Sequence, residues 1–214
     1  MILSIVLAVA FNYNTSSMAK EIVDLNKVEL NFMLNYSNYI YDSYGDDVSG
    51  NTYIREDLHD GTGFAGEAIY WLNKWGIGLG VEKNMMSSKW NDNLEEYEYS
   101  SELTGPYAKM IYTLNDNISL YNNIINYHYK EHYKKRGFNN DVVKGDGIGL
   151  LLGMKASYQI NSNLLFILDT GYRMARIKIK EKYSSKKERL INNQNDENLK
   201  INGLRLALSL SYSF

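Results

Sequence analysis

Cysteine is absent from the 214 residues, which excludes a disulfide framework and any cysteine-ligated metal. Proline occurs once. No apolar run approaches the roughly 18 residues of a transmembrane helix. That leaves strand-built membrane proteins open, because only alternate residues of each strand meet lipid. The formal net charge is −2, so no basic excess marks a nucleic-acid partner. Histidine is scarce, and His59, His128 and His132 are the only candidate imidazole bases or metal ligands. His128 and His132 lie four apart. On a helix they could share a zinc ion, but on a strand they would stand roughly 13 Å apart. No serine sits in a strained-turn nucleophile motif. The expectation is a protein with no catalytic residues, no metal and no cofactor.

Tyrosine, by contrast, is abundant at 19 residues. It favours strands, and it also favours membrane–water interfaces, where the ring is apolar and the hydroxyl wet. The last twelve residues organise the rest. Leu204, Leu206, Leu208, Leu210, Tyr212 and Phe214 share one parity, and Gly203, Arg205, Ala207, Ser209, Ser211 and Ser213 share the other. Period two over that length predicts a strand with one apolar and one small or polar face.

The pattern recurs upstream. Three aromatic–aliphatic–turn motifs stand about 44 residues apart, one hairpin plus one long loop. Their turns fall at Asn73-Lys74, Asn115-Asp116-Asn117 and Asn161-Ser162-Asn163, and Asn and Asp suit tight turns through local hydrogen bonds and left-handed conformations. Polar stretches at 42–60, 86–98, 131–146 and 182–198 read as long loops. The remainder gives eight up-and-down strands: 28–41, 61–72, 76–85, 99–114, 118–130, 147–160, 164–180 and 199–214. The fourth and seventh exceed what a bilayer requires and are expected to project above it. A ten-stranded barrel is the architectural rival, should a long loop hide a hairpin.

Parity then divides the charges. Glu29, Glu67, Glu82 and Asp169 share the polar face with Lys109, Lys155, Arg173 and Arg205. Four acids against four bases, on a face rich in glycine, suit a closed interior better than a solvated exterior. The glycines are expected to make room for the long charged side chains, and Arg205 is expected to neutralise Glu29 where the last strand meets the first. Aromatics gather at both strand ends as interfacial girdles. Tyr70, Trp71, Trp75, Tyr112, Tyr158, Tyr212 and Phe214 lie at the short-turn end, and Tyr39, Tyr41, Phe64, Tyr127, Tyr129 and Tyr172 towards the loops. The apolar face therefore points outward, into lipid. The rival is a soluble barrel with the faces reversed.

Residues 2–11 have the length and apolarity of a signal-peptide core, and Ser17-Met18-Ala19 offers small residues for cleavage after Ala19. This divides the chain into a leader, 1–19, and a barrel domain, 20–214. Gly61-Thr62-Gly63-Phe64-Ala65-Gly66 matches a dinucleotide fingerprint but opens a strand, without the helix that would aim amides at a pyrophosphate. Acidic runs at 42–57 and 92–98 and basic runs at 130–136 and 180–189 colour the loops. Lys134, Lys135, Arg136, Lys186, Lys187 and Arg189 form the candidate loop binding surface, for a surface ligand or for lipopolysaccharide phosphates.

Taken together, Trp75-Gly76-Ile77-Gly78-Leu79-Gly80-Val81, Gly105-Pro106-Tyr107 and the terminal Ser211-Tyr212-Ser213-Phe214 resemble the small porin-like outer-membrane β-barrels of the OmpX, Ail and OmpA-barrel kind. The resemblance runs over residues 27–214. It implies an all-β, eight-stranded antiparallel transmembrane barrel of the bacterial outer membrane, with extracellular loops and periplasmic termini. Leu208, Leu210, Tyr212 and Phe214 would then form the C-terminal strand that targets such barrels to their assembly machinery. Members act as membrane-stabilising barrels, adhesins, minor pores or surface-binding proteins. The leading expectation is a non-enzymatic structural or adhesive barrel. A small porin-like channel is the alternative, and a lipid-modifying enzyme the weaker one.

Overall fold

Two of the asparagine turns are held by their own side chains. Asn115 Oδ1 accepts from the amides of Asn117 and Ile118, at 3.0 and 2.9 Å, and Asn161 Oδ1 accepts from those of Asn163 and Leu164, at 3.0 and 2.9 Å. Asn73 carries the first turn instead, by adopting a left-handed φ of 59°. A two-residue hairpin loop needs that conformation, and Asn tolerates it. These turns join the strands of a computed structural model that describes residues 27–43, 60–92, 95–135, 141–183 and 198–214. The expected leader, 1–19, lies outside the described residues, as does His59.

The strands are β1 (Lys27–Ser43), β2 (Asp60–Leu72), β3 (Trp75–Asp92), β4 (Glu95–Asn115), β5 (Ile118–Lys135), β6 (Asp141–Gln159), β7 (Leu164–Tyr183) and β8 (Asn198–Ser213). Each pairs antiparallel with its sequence neighbours, and β1 closes on β8 from Glu29↔Ser213 to Ser43↔Leu199. Every strand thus has two partners, and no edge remains for the two further strands of a ten-stranded barrel.

The strands run further than their polar composition suggests. β3 and β4 stay in register up to Asp92↔Glu95, which turns most of the expected loop at 86–98 into hairpin. Likewise β5 pairs with β6 to Tyr133↔Asp141, through much of the expected loop at 131–146. The reason lies in where these segments stand. Beyond the bilayer the outward face meets water, so alternation no longer places an aliphatic residue at every second position.

This shows as an inversion of polarity along single strands. In the lower part of β7, Phe166, Tyr172 and Met174 are exposed, while Asp169 and Arg173 are buried. Above Met174 the order reverses: Arg176, Lys178 and Lys180 face out, and Ala175, Ile177 and Ile179 face in. β8 repeats it, with Leu199 and Ile201 inside beside an outward Lys200, then Arg205 inside below an outward Leu204. The lower barrel carries an apolar belt, with Leu79 and Ile148 exposed to 69% and 68%. A soluble protein does not tolerate so continuous an apolar surface, so this belt is the lipid-facing one. The upper barrel has an ordinary hydrophobic core, in which Tyr129, Leu103, Ile177, Leu199 and Ile201 pack together.

Aromatic placement is only partly as expected. Tyr70, Trp75, Tyr158, Tyr212 and Phe214 are exposed at the turn end, and Phe64 and Tyr172 are exposed further up. Tyr39, Tyr127 and Tyr129, expected in the loop-end girdle, are instead buried in the lumen. Their parity is inward, and the lumen offers each hydroxyl a polar partner.

Candidate functional site

The lumen of the lower barrel gathers the eight charged residues that share the polar parity. Glu29, Glu67, Glu82, Lys109, Lys155, Asp169, Arg173 and Arg205 are all buried. They form separate pairs across the interior. Lys109 Nζ lies 2.8 Å from both oxygens of Glu67, which also accepts from Tyr107 Oη at 2.7 Å and Asn31 Nδ2 at 2.9 Å. Glu82 Oε1 accepts from Arg173 Nη2 at 2.7 Å, Tyr127 Oη at 2.6 Å and Asn84 Nδ2 at 3.1 Å. Arg173 also donates to Tyr39 Oη, so Glu82–Arg173 is as heavily bonded as Glu67–Lys109. Lys155 lies 3.6 Å from Glu29, whose other oxygen accepts from Trp71 Nε1 at 2.9 Å.

Arg205 does not neutralise Glu29. The antiparallel register places Glu29 opposite Ser213, at the turn end, while Arg205 stands opposite Ser37, far up the strand. Arg205 Nη1 meets Asp169 instead, at 3.3 Å, and Tyr121 Oη donates to the same carboxylate at 2.6 Å. Arg205→Leu leaves the buried Asp169 carboxylate without its cation and is expected to cost about 3 kcal/mol, the low end for breaking a buried pair across a longer contact. Urea unfolding of refolded protein measures it, and an unchanged midpoint would remove Arg205 from the interior network.

The inward glycines serve tyrosines more than charges. A Cβ on Gly80 would strike the Tyr107 ring, one on Gly149 the Tyr127 ring and one on Gly153 the Tyr121 ring. Each of those tyrosines donates to a buried carboxylate. Glycine on one strand thus seats a ring from the neighbouring strand, and the ring's hydroxyl reaches an acid. Parity identifies the charged residues but not these tyrosine donors, since an inward Tyr reads as part of an apolar face. Glu131, buried at the upper end and bonded by Tyr129 Oη, is a further interior acid that the polar composition around it concealed.

Outside the belt, the upper wall carries the remaining candidates. His128 Nδ1 is 2.6 Å from Asp146 Oδ1, and Lys180 Nζ is 2.6 Å from Asp146 Oδ2. The Lys180 hydrogen bond, with His128 assisting, holds the Asp146 carboxyl below its ordinary range. Among the described residues no cluster of three or more metal-ligating side chains occurs. The fingerprint-like glycines open β2, where Gly61 and Gly63 pack against β3 and β1 and the chain continues as strand. Of the candidate loop cations, Lys134 and Lys135 end β5, opposite Glu98 and Tyr97. Arg136, Lys186, Lys187 and Arg189 lie outside the described residues. In the closing strand Leu208, Leu210 and Tyr212 face outward. The Phe214 amide donates to Val28 carbonyl at 3.0 Å, and its ring lies 4.9 Å from that of Tyr212.

No protein-family model matches the chain, and no curated protein sequence does. Solved structures match in shape. OprG from Pseudomonas aeruginosa aligns with a TM-score of 0.56 at 12% identity, over 89% of this chain and 96% of that one. Ail, the attachment invasion locus protein of Yersinia pestis, in complex with the heparin analogue sucrose octasulfate, aligns at 0.53 and 14%, over 89% and 99%. Neisserial surface protein A aligns at 0.50 and 16%, over 86% and 97%. At such identities the likeness is one of fold, and together with the apolar belt and the charged lumen it makes this chain an eight-stranded β-barrel of the outer-membrane type.

Proposed function

We propose that the chain is a non-enzymatic bacterial outer-membrane barrel with a closed lumen, acting as a structural element and an adhesive surface. The observation that carries the closed lumen is its double filling. Buried ion pairs occupy the level of the belt, and above them Leu103, Tyr129, Ile177, Leu199 and Ile201 form an apolar layer. An eight-stranded interior is just wide enough for side chains, and an apolar constriction opposes ion passage by dewetting. Pure refolded protein in planar bilayers is expected to give no reproducible single-channel steps. Regular steps would favour the small-solute channel instead.

The short asparagine turns and both ends of the barrel chain would lie on the periplasmic side, and the extended hairpins would carry the loops outward. Leu208, Leu210, Tyr212 and Phe214 would present the targeting strand to the assembly machinery. The adhesive reading rests on the projecting walls and on the loop cations Lys134, Lys135, Arg136, Lys186, Lys187 and Arg189. A polyanion-binding relative of the same fold, Ail with its heparin analogue, makes an acidic surface ligand the first class to test.

A further inference from the structure

The outer face of β5 differs from that of the other seven strands. Within the belt it presents Leu120, Asn122, Ile124 and Asn126, while its tyrosines Tyr121, Tyr127 and Tyr129 point into the lumen. Each of the other strands turns at least one aromatic ring outward, from Phe32 on β1 to Tyr212 on β8. Outward rings anchor a barrel wall at the membrane–water interface. The β5 wall has no such anchor.

In its place β5 carries a carboxamide in the middle of the belt. Asn122 is partly exposed, and Leu120 and Ile124, its neighbours on the same face, are exposed. Its cross-strand partners, Met110 on β4 and Leu152 on β6, are exposed as well. Hydrocarbon groups therefore surround it on all four sides. Leu152 lies four residues below Ile148, the last belt residue of β6, which is roughly 13 Å along the strand. The Asn122 side chain has no hydrogen-bond partner among the described residues. Lysine and arginine lift their charge out of hydrocarbon on long stems, but asparagine is too short to do so. An amide left unbonded in hydrocarbon is costly. Asn126 and Asn202 differ, because they stand at the upper limit of the belt, next to His128 and Lys200 on the same face.

We infer that two copies of this chain meet within the membrane through the β5 wall, with Asn122 bonded to Asn122 of the second copy. A carboxamide offers both donors and an acceptor, so two of them pair with a hydrogen bond in each direction. Copies inserted with the same orientation are related by a two-fold axis along the membrane normal, and each residue then meets its own counterpart at equal depth. A self-complementary group at mid-belt satisfies that symmetry. Leu120, Ile124, Met110 and Leu152 close around the pair and keep lipid from it. Ala108, the cross-strand partner of Ile124, keeps the β4 side of the contact low, and small residues let membrane segments approach closely. The missing ring belongs to the same arrangement, since a wall covered by protein meets no headgroups.

The inference rests on the membrane-barrel reading, and its test separates the two. The chain has no cysteine, so Lys74→Cys, in the exposed β2–β3 turn, takes a single dye. Donor- and acceptor-labelled full-length copies are refolded together into phosphatidylcholine vesicles at falling protein-to-lipid ratio. Insertion is read by heat-modifiable gel migration of the same samples. Energy transfer above that of random proximity is expected to persist to at least about tenfold lower protein density than in Asn122→Leu, the scale of two hydrogen bonds made inside a membrane. Asn122→Leu only adds apolar surface to the belt, so it inserts as the wild type does. Asn122→Gln keeps the carboxamide and retains the transfer. Ile124→Cys is expected to cross-link to its counterpart through a short bismaleimide, whereas Leu34→Cys, outward on β1 across the closed barrel, is not. Transfer no greater than random at every density, or equal transfer in Asn122→Leu, overturns the paired wall alone when the barrel has inserted. Cross-linking of Leu34→Cys as readily as Ile124→Cys moves the contact to another face and overturns it too. A chain that never inserts overturns the membrane reading with it.

Discussion

Arg173→Leu is expected to lower the unfolding free energy by about 4 kcal/mol, the cost of leaving a buried carboxylate without its cation. Glu82 is that carboxylate. Its Oε1 gathers Arg173, Tyr127 and Asn84, and Arg173 in turn holds Tyr39. The guanidinium also lies 5.4 and 5.7 Å from the Tyr39 and Tyr127 ring centroids. Removing it therefore strips one charge of its partner and two rings of a cation. Glu82→Leu with Arg173→Leu is expected to cost only about 2 kcal/mol, because no unpaired charge remains. Urea unfolding of the refolded wild type, both single variants and the double variant gives the coupling energy as a double-mutant cycle. Additive single effects would mean that the two residues do not act as a pair. Conductance of the Arg173→Leu variant adds a second reading. The apolar layer above the pair is intact in that variant, so it too is expected to remain closed.

The strand number, the up-and-down order and the inward set of charges were legible in the sequence, because a bilayer and a narrow lumen impose opposite demands on alternate residues. What pairs with what was not legible. Arg205 and Glu29 lie on strands that close the barrel, yet stagger along the ladder separates them, and parity carries no information on stagger. The upper ends of β3, β4, β5 and β6 were hidden for a different reason, since their polar composition reads as loop once the outward face leaves the bilayer. β7, expected over 164–180 and found to Tyr183, was legible, and its Ala175, Ile177 and Ile179 continue the alternation with the sign reversed. That reversal is present in the sequence, and it marks the upper limit of the apolar belt. Tyrosine was ambiguous in the same way. Tyr127 and Tyr129 read as girdle residues near a loop, whereas parity places them inside.

Glycine gives the other large effect, and its sign depends on the face. Gly149→Ala is expected to destabilise by about 3 kcal/mol, at the top of the range for overpacking a filled interior. The new methyl would overlap the Tyr127 ring and sit 3.3 Å from Ala175 Cβ. Tyr127 has little freedom to yield. Its hydroxyl is bonded to Glu82 at 2.6 Å and its ring lies against Arg173, so displacing it also weakens the Glu82–Arg173 pair. Gly66→Ala is the control on the outward parity of β2. There the nearest atom to the added Cβ is the Asn31 carbonyl oxygen, 4.0 Å away. That variant is expected to be neutral or to stabilise by about 0.5 kcal/mol, since alanine restricts the unfolded chain and adds apolar surface facing lipid. Urea midpoints of the two variants, measured in the same detergent, test the contrast directly. If both substitutions had the same effect, the glycines would be acting through backbone freedom alone. The opposite signs expected here follow only if the inward glycine exists to seat a tyrosine, and with it the hydrogen bond that the tyrosine donates to Glu82 Oε1 inside the barrel.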